Sequence, residues 1–237
     1  MGYCCRNVCA NHCSRNLTTL GHVASSERSK PKRLSRLELI EELSRGAQKS
    51  SGLSINIGCK DTRLGDINID ISGHPNVRAS VLFLPFRENT FSVAIFSEVL
   101  EHLPAGRERQ ALTEIRRVLN QNGVLILSTP ASEGAWGKLY WFGDPAFWFI
   151  NHRHYLEEEL KRLLDSSGLA VETLSRRGGP RDLLFSIVTP FAYLSKKLGK
   201  PCDPNLNSDY SIESPRRGYT FVIEARKTNT MSGRTLI

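Results

Sequence analysis

Leu53-Ser-Ile-Asn-Ile-Gly58-Cys-Lys60, followed closely by Ile67-Asn-Ile-Asp70, is the stretch on which the fold turns. Each piece is a short apolar run that reads as a strand and ends on a residue with chemical meaning. Gly58 ends the first, where a missing side chain lets a ligand come close to the backbone. Asp70 ends the second, and its carboxylate can accept the hydroxyls of a sugar.

Outward from this pair the pattern alternates. Val77 to Val81 is a third strand, and Phe91-Ser-Val-Ala-Ile-Phe96 is a fourth that runs into Ser97-Glu98. A helix from about Arg107 to Leu119 carries Leu112, Ile115 and Leu119 on one stripe, Asn122-Gly123 is a turn, and Val124-Leu-Ile-Leu-Ser128 is a fifth strand. Tyr155 to Ser166 reads as an amphipathic helix, Leu169 to Leu174 as a sixth strand and Tyr219 to Ala225 as the last. Upstream, Leu37, Ile40 and Leu43 stand at helical spacing before Gly46. Strands alternating with helices predict a doubly wound α/β sheet. No internal repeat is visible.

Composition sets the outer limits. The chain has 237 residues, 40% hydrophobic and 24% charged, with three Trp and ten Phe, which supports one domain with extensions and excludes global disorder. No uncharged apolar run approaches the ~20 residues of a membrane span. The start, Met1-Gly-Tyr-Cys-Cys-Arg6, lacks the apolar core of a secretion signal, so a cytoplasmic location is expected. Of the net charge of +8, residues 1–36 carry +6 and residues 216–237 carry +4, leaving 37–215 at −2. Basic ends on a nearly neutral body read as solvated tails, and nucleic acid is not an expected partner.

Four of the six cysteines, Cys4, Cys5, Cys9 and Cys13, crowd the start in a spacing that matches no zinc pattern. Gly2 with Cys4 and Cys5 would suit lipid attachment, but Arg6 stands where acylation favours Ser or Thr. Residues 1–33 are therefore expected to be a disordered basic leader, 34–228 the domain and 229–237 a tail. Within the domain, 131–153 reads as an aromatic insertion and 180–215 as a lid or extra helix.

In open α/β sheets, ligands bind at the carboxyl ends of the strands. Gly58, Asp70 and Phe96-Ser97-Glu98 all fall at such ends, which predicts a nucleoside-type cofactor over the first two strands and a reacting group near the fourth. Only twelve positions separate Gly58 from Asp70, whereas dinucleotide units place their acid about 20 residues on. The first crossover helix is expected to be shortened or missing.

Ile55-Asn-Ile-Gly-Cys59, Asp70, Leu84-Pro-Phe86, Glu98-Val-Leu-Glu-His102 and Glu114 through Pro130, in that order, resemble the class I S-adenosylmethionine-dependent methyltransferases. The likeness is to the broad small-molecule family and covers about residues 50–175, with Tyr219–Lys227 resembling the closing antiparallel strand. It implies a Rossmann-like seven-stranded sheet, mostly parallel with an antiparallel last strand, and S-adenosyl-L-methionine as cofactor. By position in the motifs, Ile57, Gly58 and Cys59 would lie under the methionine part. Asp70 would hold the ribose, Ile71 would pack on adenine, and Ser80 and Val81 would meet its edge. Phe96, Ser97 and Glu98 would flank the sulfonium. The sequence departs from the family at Lys60, where a second Gly is usual, at Ser80, where an acid is usual, and at Phe91-Ser92, where Phe-Asp is usual. Lys60 would either pair with the cofactor carboxylate or face solvent.

A sulfonium is already activated, so methyl transfer chiefly needs alignment, with a general base for an oxygen or nitrogen acceptor. His102 and Glu98 are the catalytic candidates, with His152 and His154 arriving from the loop after the fifth strand. Glu98, Glu101 and His102 at i, i+3 and i+4 would share one helical face, a set able to hold a divalent ion, but no metal is expected. Trp136, Tyr140, Trp141, Phe142, Phe147, Trp148 and Phe149 point to a flat or greasy acceptor, and Leu183 to Leu194 followed by Ser195-Lys-Lys to an apolar lid or membrane-surface helix. The expectation is a methyltransferase for a small, hydrophobic or lipid-linked acceptor, with peripheral membrane contact. Two alternatives stand beside it: a methyltransferase-like binding module without catalysis, suggested by Lys60, Ser80 and the shortened loop, and an RNA or protein methyltransferase, suggested by the basic tails. The sequence leaves the oligomeric state open.

Overall fold

Helix α1 (Arg36–Ala47) begins where the sequence supplies a reciprocal cap: Ser35 Oγ accepts the Glu38 N–H at 3.3 Å, and the Glu38 carboxylate accepts the Ser35 N–H at 2.8 Å. The structure, a computed structural model, describes residues 34–48, 52–133, 153–178 and 218–228. All of these belong to one compact unit spanning Pro31–Ile237. The leader, most of the aromatic insertion, the 180–215 segment, the tail and His152 lie outside the described residues.

Seven strands form a single sheet: β1 (Leu53–Ile57), β2 (Ile67–Asp70), β3 (Val77–Arg78), β4 (Phe91–Ser97), β5 (Leu119–Pro130), β6 (Leu169–Arg177) and β7 (Thr220–Lys227). Their order is β3-β2-β1-β4-β5-β7-β6, and β7 runs antiparallel to both of its neighbours while the rest are parallel. This is the doubly wound, Rossmann-like sheet that the alternation and the resemblance imply. Helices α2 (Glu108–Val118) and α3 (Glu157–Ser166) complete the described elements. No helix among the described residues is long and apolar enough to cross a membrane.

Strand alternation sorts the core onto two faces. Ile55, Ile57, Ile69, Phe96, Leu125 and Leu127 pack with Leu112 and Ile115 of α2 and Leu160 and Leu164 of α3. Val93, Ile95, Val124 and Ile126 point the other way, onto Leu39 and Ile40 of α1. The buried stripe of α1 is rotated from the one the spacing suggested: Leu37 is exposed, and Leu39 takes its place.

The link from β1 to β2, residues 58–66, contains no helix. A parallel crossover this short cannot lay a helix on the sheet, and the strands answer with polar side chains on that face. Ser54, Asn56 and Asn68 are buried. Asn68 Oδ1 accepts from Leu64 N, Gly65 N and Asn56 Nδ2 at 3.1, 3.3 and 3.2 Å, while Asn68 Nδ2 donates to Gly65 O and Asn76 Oδ1 at 2.7 and 3.0 Å. Ser54 Oγ donates to Asp66 at 2.7 Å. A loop covering a sheet must find partners for its buried peptide groups, and these side chains supply them. Asn68→Ala strands several buried groups at once and is expected to cost about 3 kcal/mol in urea unfolding. A loss below about 0.5 kcal/mol would show that the network is not needed.

Three local expectations are corrected. The third strand stops at Arg78, because Ser80 starts a turn in which Phe83 N donates to Ser80 O at 3.1 Å and Leu82 N to Ser80 Oγ at 3.2 Å. The fifth strand starts earlier than Val124, yet Asn122 does turn, with φ 63°, and the pairing with β4 jumps from Phe91↔Leu119 to Val93↔Val124 around it. Glu98, Glu101 and His102 share no α-helical face: Glu98 has φ 54°, and the rest is a 3-10 turn (Leu100–His102). That turn buries Glu101, whose carboxylate accepts from Thr129 Oγ1 at 3.1 Å, and leaves His102 exposed.

Candidate active site

The ends of β1, β2 and β4 enclose a cavity of about 380 Å³ at the carboxyl edge of the sheet, next to the end of β3. From β1 come Ile57, Gly58 and Lys60; from β2, Asp70, Ile71 and Ser72; from the loop after β3, Ser80 and Val81; and from the end of β4, Glu98, Val99 and His102.

Gly58 has φ 77°, a conformation costly for any residue with a Cβ. A Cβ there would also lie 2.2 Å from Val99 Cγ2, so the floor of the cavity depends on this glycine. Asp70 closes β2 as an anchor for two loops. Its Oδ2 accepts the Lys60 N–H at 2.7 Å, and its Oδ1 accepts the Ser72 N–H at 2.8 Å and the Ser72 hydroxyl at 3.0 Å. Burial pushes the Asp70 carboxyl up, but the N–H groups of Ser72 and Lys60 and the Ser72 hydroxyl outweigh it and hold the group below its ordinary value. Asp70 is thus a fixed anion on the cavity wall. Ile71 beside it is 70% exposed, an apolar surface without a protein cover among the described residues.

The sign of the pH effect follows from that shift. A carboxylate depressed in the folded state contributes stability that is complete above its unfolded pKa and is lost as pH falls through the folded one. Asp66 and Glu114 are also depressed, Asp66 by hydrogen bonds from Ser54 and Glu114 by hydrogen bonding to Arg117. The urea midpoint is expected to be flat from about pH 8 to 5 and to fall below about pH 4. In Asp70→Asn the fall should be shallower. An acid limb of unchanged steepness in that variant would contradict the assignment.

Glu98 sits at the other wall. Its Oε1 accepts from Ser128 Oγ at 2.9 Å, its Oε2 pairs with Arg36 of α1 at 3.3 Å, and its N–H donates to Ser128 O at 2.9 Å. The left-handed backbone at Glu98 is held by these contacts from β5 and α1. His102 lines the rim with an exposed ring.

Of the residues singled out from sequence, Ile57, Gly58, Asp70, Ile71, Ser80, Val81, Glu98 and His102 are brought to this one cavity. Cys59, Phe96 and Ser97 are not among its lining. Phe96 alternates inward and is fully buried in the core. Cys59 is buried beneath the loop with Sγ 3.6 Å from Lys60 O, and burial together with the nearby Asp70 charge pushes its thiol up. Ser97 Oγ is spent on Ser128 Oγ at 2.8 Å. His154, buried in the segment leading to α3, is not among the lining residues either. Sequence reasoning missed Ser72, which a hydroxyl two residues after Asp70 could have signalled as an Asx-turn partner. It also missed Arg36, which only the packing of α1 brings to Glu98.

The fold and cavity define a Rossmann-like α/β domain with a cavity at the carboxyl edge of its sheet, where open α/β sheets bind their ligands. Residues 29–174, more than half of the chain, match the model of a methyltransferase-domain family, and the chain belongs to that family. Among solved structures it is similar to an S-adenosylmethionine-dependent methyltransferase of Thermotoga maritima described as a possible histamine N-methyltransferase. The TM-score is 0.55 at 19% identity, over 80% of this chain and 89% of that one. A Burkholderia thailandensis 1,6-didemethyltoxoflavin N1-methyltransferase, with bound 1,6-didemethyltoxoflavin and S-adenosylhomocysteine, gives 0.52 at 15% identity over 81% and 78%. A 49-residue segment is 45% identical to an uncharacterised protein of Methanocaldococcus jannaschii, covering 21% of this chain and 20% of that protein.

Proposed function

We propose that this chain is an S-adenosylmethionine-dependent methyltransferase acting on a small, hydrophobic or lipid-linked acceptor. The observation that carries the reading is the cavity at the ends of β1, β2 and β4, with Gly58 as its floor and the Asp70 carboxylate on its wall. Family membership and the bound S-adenosylhomocysteine of the Burkholderia thailandensis neighbour support the choice of cofactor.

The residues fit that group. A carboxylate has about four lone-pair sites, and three donors already use Asp70, one at Oδ2 and two at Oδ1. Oδ2 keeps a lone pair for one ribose hydroxyl, and the Ser72 hydroxyl can release Oδ1 for the other. Ile71 and Val81 offer apolar surface to a base, with the Ser80 hydroxyl beside them. The cofactor supplies a methyl group on a sulfonium that needs no covalent activation. Glu98, held by Arg36 and Ser128, gives that side of the cavity a fixed polar wall. His102, at the rim, is placed to take a proton from an incoming acceptor.

The aromatic stretch from Trp136 to Phe149 supports a flat or apolar acceptor, and Leu183 to Leu194 with the following lysines supports a peripheral contact with membrane. Labelled methyl donor, added with the protein to a cell extract, is expected to put label into organic-soluble small molecules or lipids. Label in RNA or protein would contradict the acceptor class, and no transfer at all would contradict the activity.

A further inference from the structure

We propose that Lys60 is the anion-binding residue of the cavity, the cation that selects a nucleoside carrying an amino-acid carboxylate over the bare nucleoside. The inference rests on the cofactor reading above and adds to it a residue that stands where family members usually carry glycine.

The first support is the charge inventory. The formally charged side chains among the cavity's described residues are Asp70, Glu98 and Lys60. Both acids are engaged, Asp70 by the Lys60 and Ser72 backbone and Glu98 by Ser128 and Arg36. The Lys60 ammonium makes no hydrogen bond or ion pair with any described residue. The adjacent acid, Asp61, is taken by His74, with Oδ1 2.9 Å from Nδ1. Lys60 lines the cavity with an exposed side chain, and beyond the field it exerts on Asp61 its ammonium has no partner among the described residues.

The second support is the backbone. Lys60 has φ 49°, a conformation that favours glycine over any L side chain. The surrounding structure imposes it: the Lys60 N–H donates to Asp70 at 2.7 Å, its carbonyl accepts from His74 N at 3.2 Å, and Gly73 packs so closely that a Cβ there would lie 2.6 Å from that carbonyl. A lysine kept where glycine would relax the chain is strain stored at a ligand site. The fixed backbone also gives the side chain a defined origin on the cavity wall.

The third support is complementarity. Asp70 suits neutral hydroxyls and the Glu98 charge is balanced by Arg36, which leaves Lys60 to meet a negative group. S-adenosylmethionine carries both hydroxyls and an anion, and its only anion is the carboxylate.

The test compares S-adenosylhomocysteine with 5′-methylthioadenosine, which keeps base, sugar and thioether but lacks the amino acid, by titration calorimetry on the full chain. The unaltered protein is expected to prefer S-adenosylhomocysteine by about tenfold or more, the scale of a charge-assisted hydrogen bond. Lys60→Met should weaken S-adenosylhomocysteine about tenfold and leave methylthioadenosine within about twofold, while Lys60→Arg should keep most of the preference. A preference that survives in Lys60→Met overturns the proposal, as does equal weakening of both ligands, which would mean a disturbed loop. Loss of preference in Lys60→Arg as large as in Lys60→Met also overturns it, since charge would not be what selects. If the unaltered chain binds neither ligand, the cofactor reading itself falls.

Discussion

Asp70→Ala is expected to weaken S-adenosylhomocysteine binding by at least about 100-fold, close to 3 kcal/mol. Two losses combine. On the proposed binding, the sugar hydroxyls would lose the β2 carboxylate, and a hydroxyl bonded to a charged group contributes more than one bonded to a neutral group. The N–H groups of Lys60 and Ser72 lose their shared acceptor, so the two loops that form the wall are no longer tied together. Asp70→Asn separates the two effects. It keeps one acceptor oxygen and the shape of the side chain, and its loss should fall between the unaltered protein and Asp70→Ala. Calorimetric titration of the three proteins checks the order. Affinities within about threefold of one another would remove Asp70 from the site.

The second large effect is at Gly58. In Gly58→Ala the new methyl would collide with Val99, 2.2 Å away, and would hold φ at 77° against the preference of an L residue. Destabilisation of about 3 kcal/mol is expected, with loss of cofactor binding. Adding Val99→Ala should recover the steric part and leave a residual of about 1–2 kcal/mol, the cost of the left-handed backbone alone. Urea unfolding of the single and double variants measures both parts. Full stability in Gly58→Ala would mean that the strand-to-loop path differs from the one described. Complete rescue by Val99→Ala would mean that the backbone conformation carries no cost.

Much of this arrangement is legible in the sequence because it lies at strand ends. Apolar runs that stop at Gly58, Asp70 and Glu98 mark the carboxyl edge of a parallel sheet, where ligands bind, and the short step from Gly58 to Asp70 forecasts a crossover without a helix. The compensation for that helix is less legible. Asn56 and Asn68 look like ordinary breaks in an apolar run, and only the parallel pairing of Asn56 with Asn68 shows them facing one loop. The motif sets Phe96 beside the sulfonium, but strand alternation turns it into the core, opposite in sense to Ile95. Helical spacing grouped Glu98, Glu101 and His102, and the left-handed residue at Glu98 separates them. The Arg36–Glu98 ion pair joins residues far apart in sequence, and no local pattern announces such a contact. The aromatic insertion, legible as composition, lies outside the described residues.

The ion pair also changes how Glu98 acts. A carboxylate held by Arg36 and Ser128 is a fixed charge facing the cavity more than a mobile base. In the proposed reaction this leaves His102 as the candidate base, while Glu98 acts as part of the wall, a division set by environment even though both residues come from one short stretch.

The most direct measurement is a crystal structure of the chain with S-adenosylhomocysteine at saturating concentration. The expected result is the nucleoside seated between the ends of β1 and β4, both ribose hydroxyls within about 3 Å of the Asp70 carboxylate and the base lying against Ile71. A ligand bound elsewhere, a ribose turned away from Asp70, or a cavity that stays empty at that concentration would contradict the assignment of this sheet edge as the cofactor site.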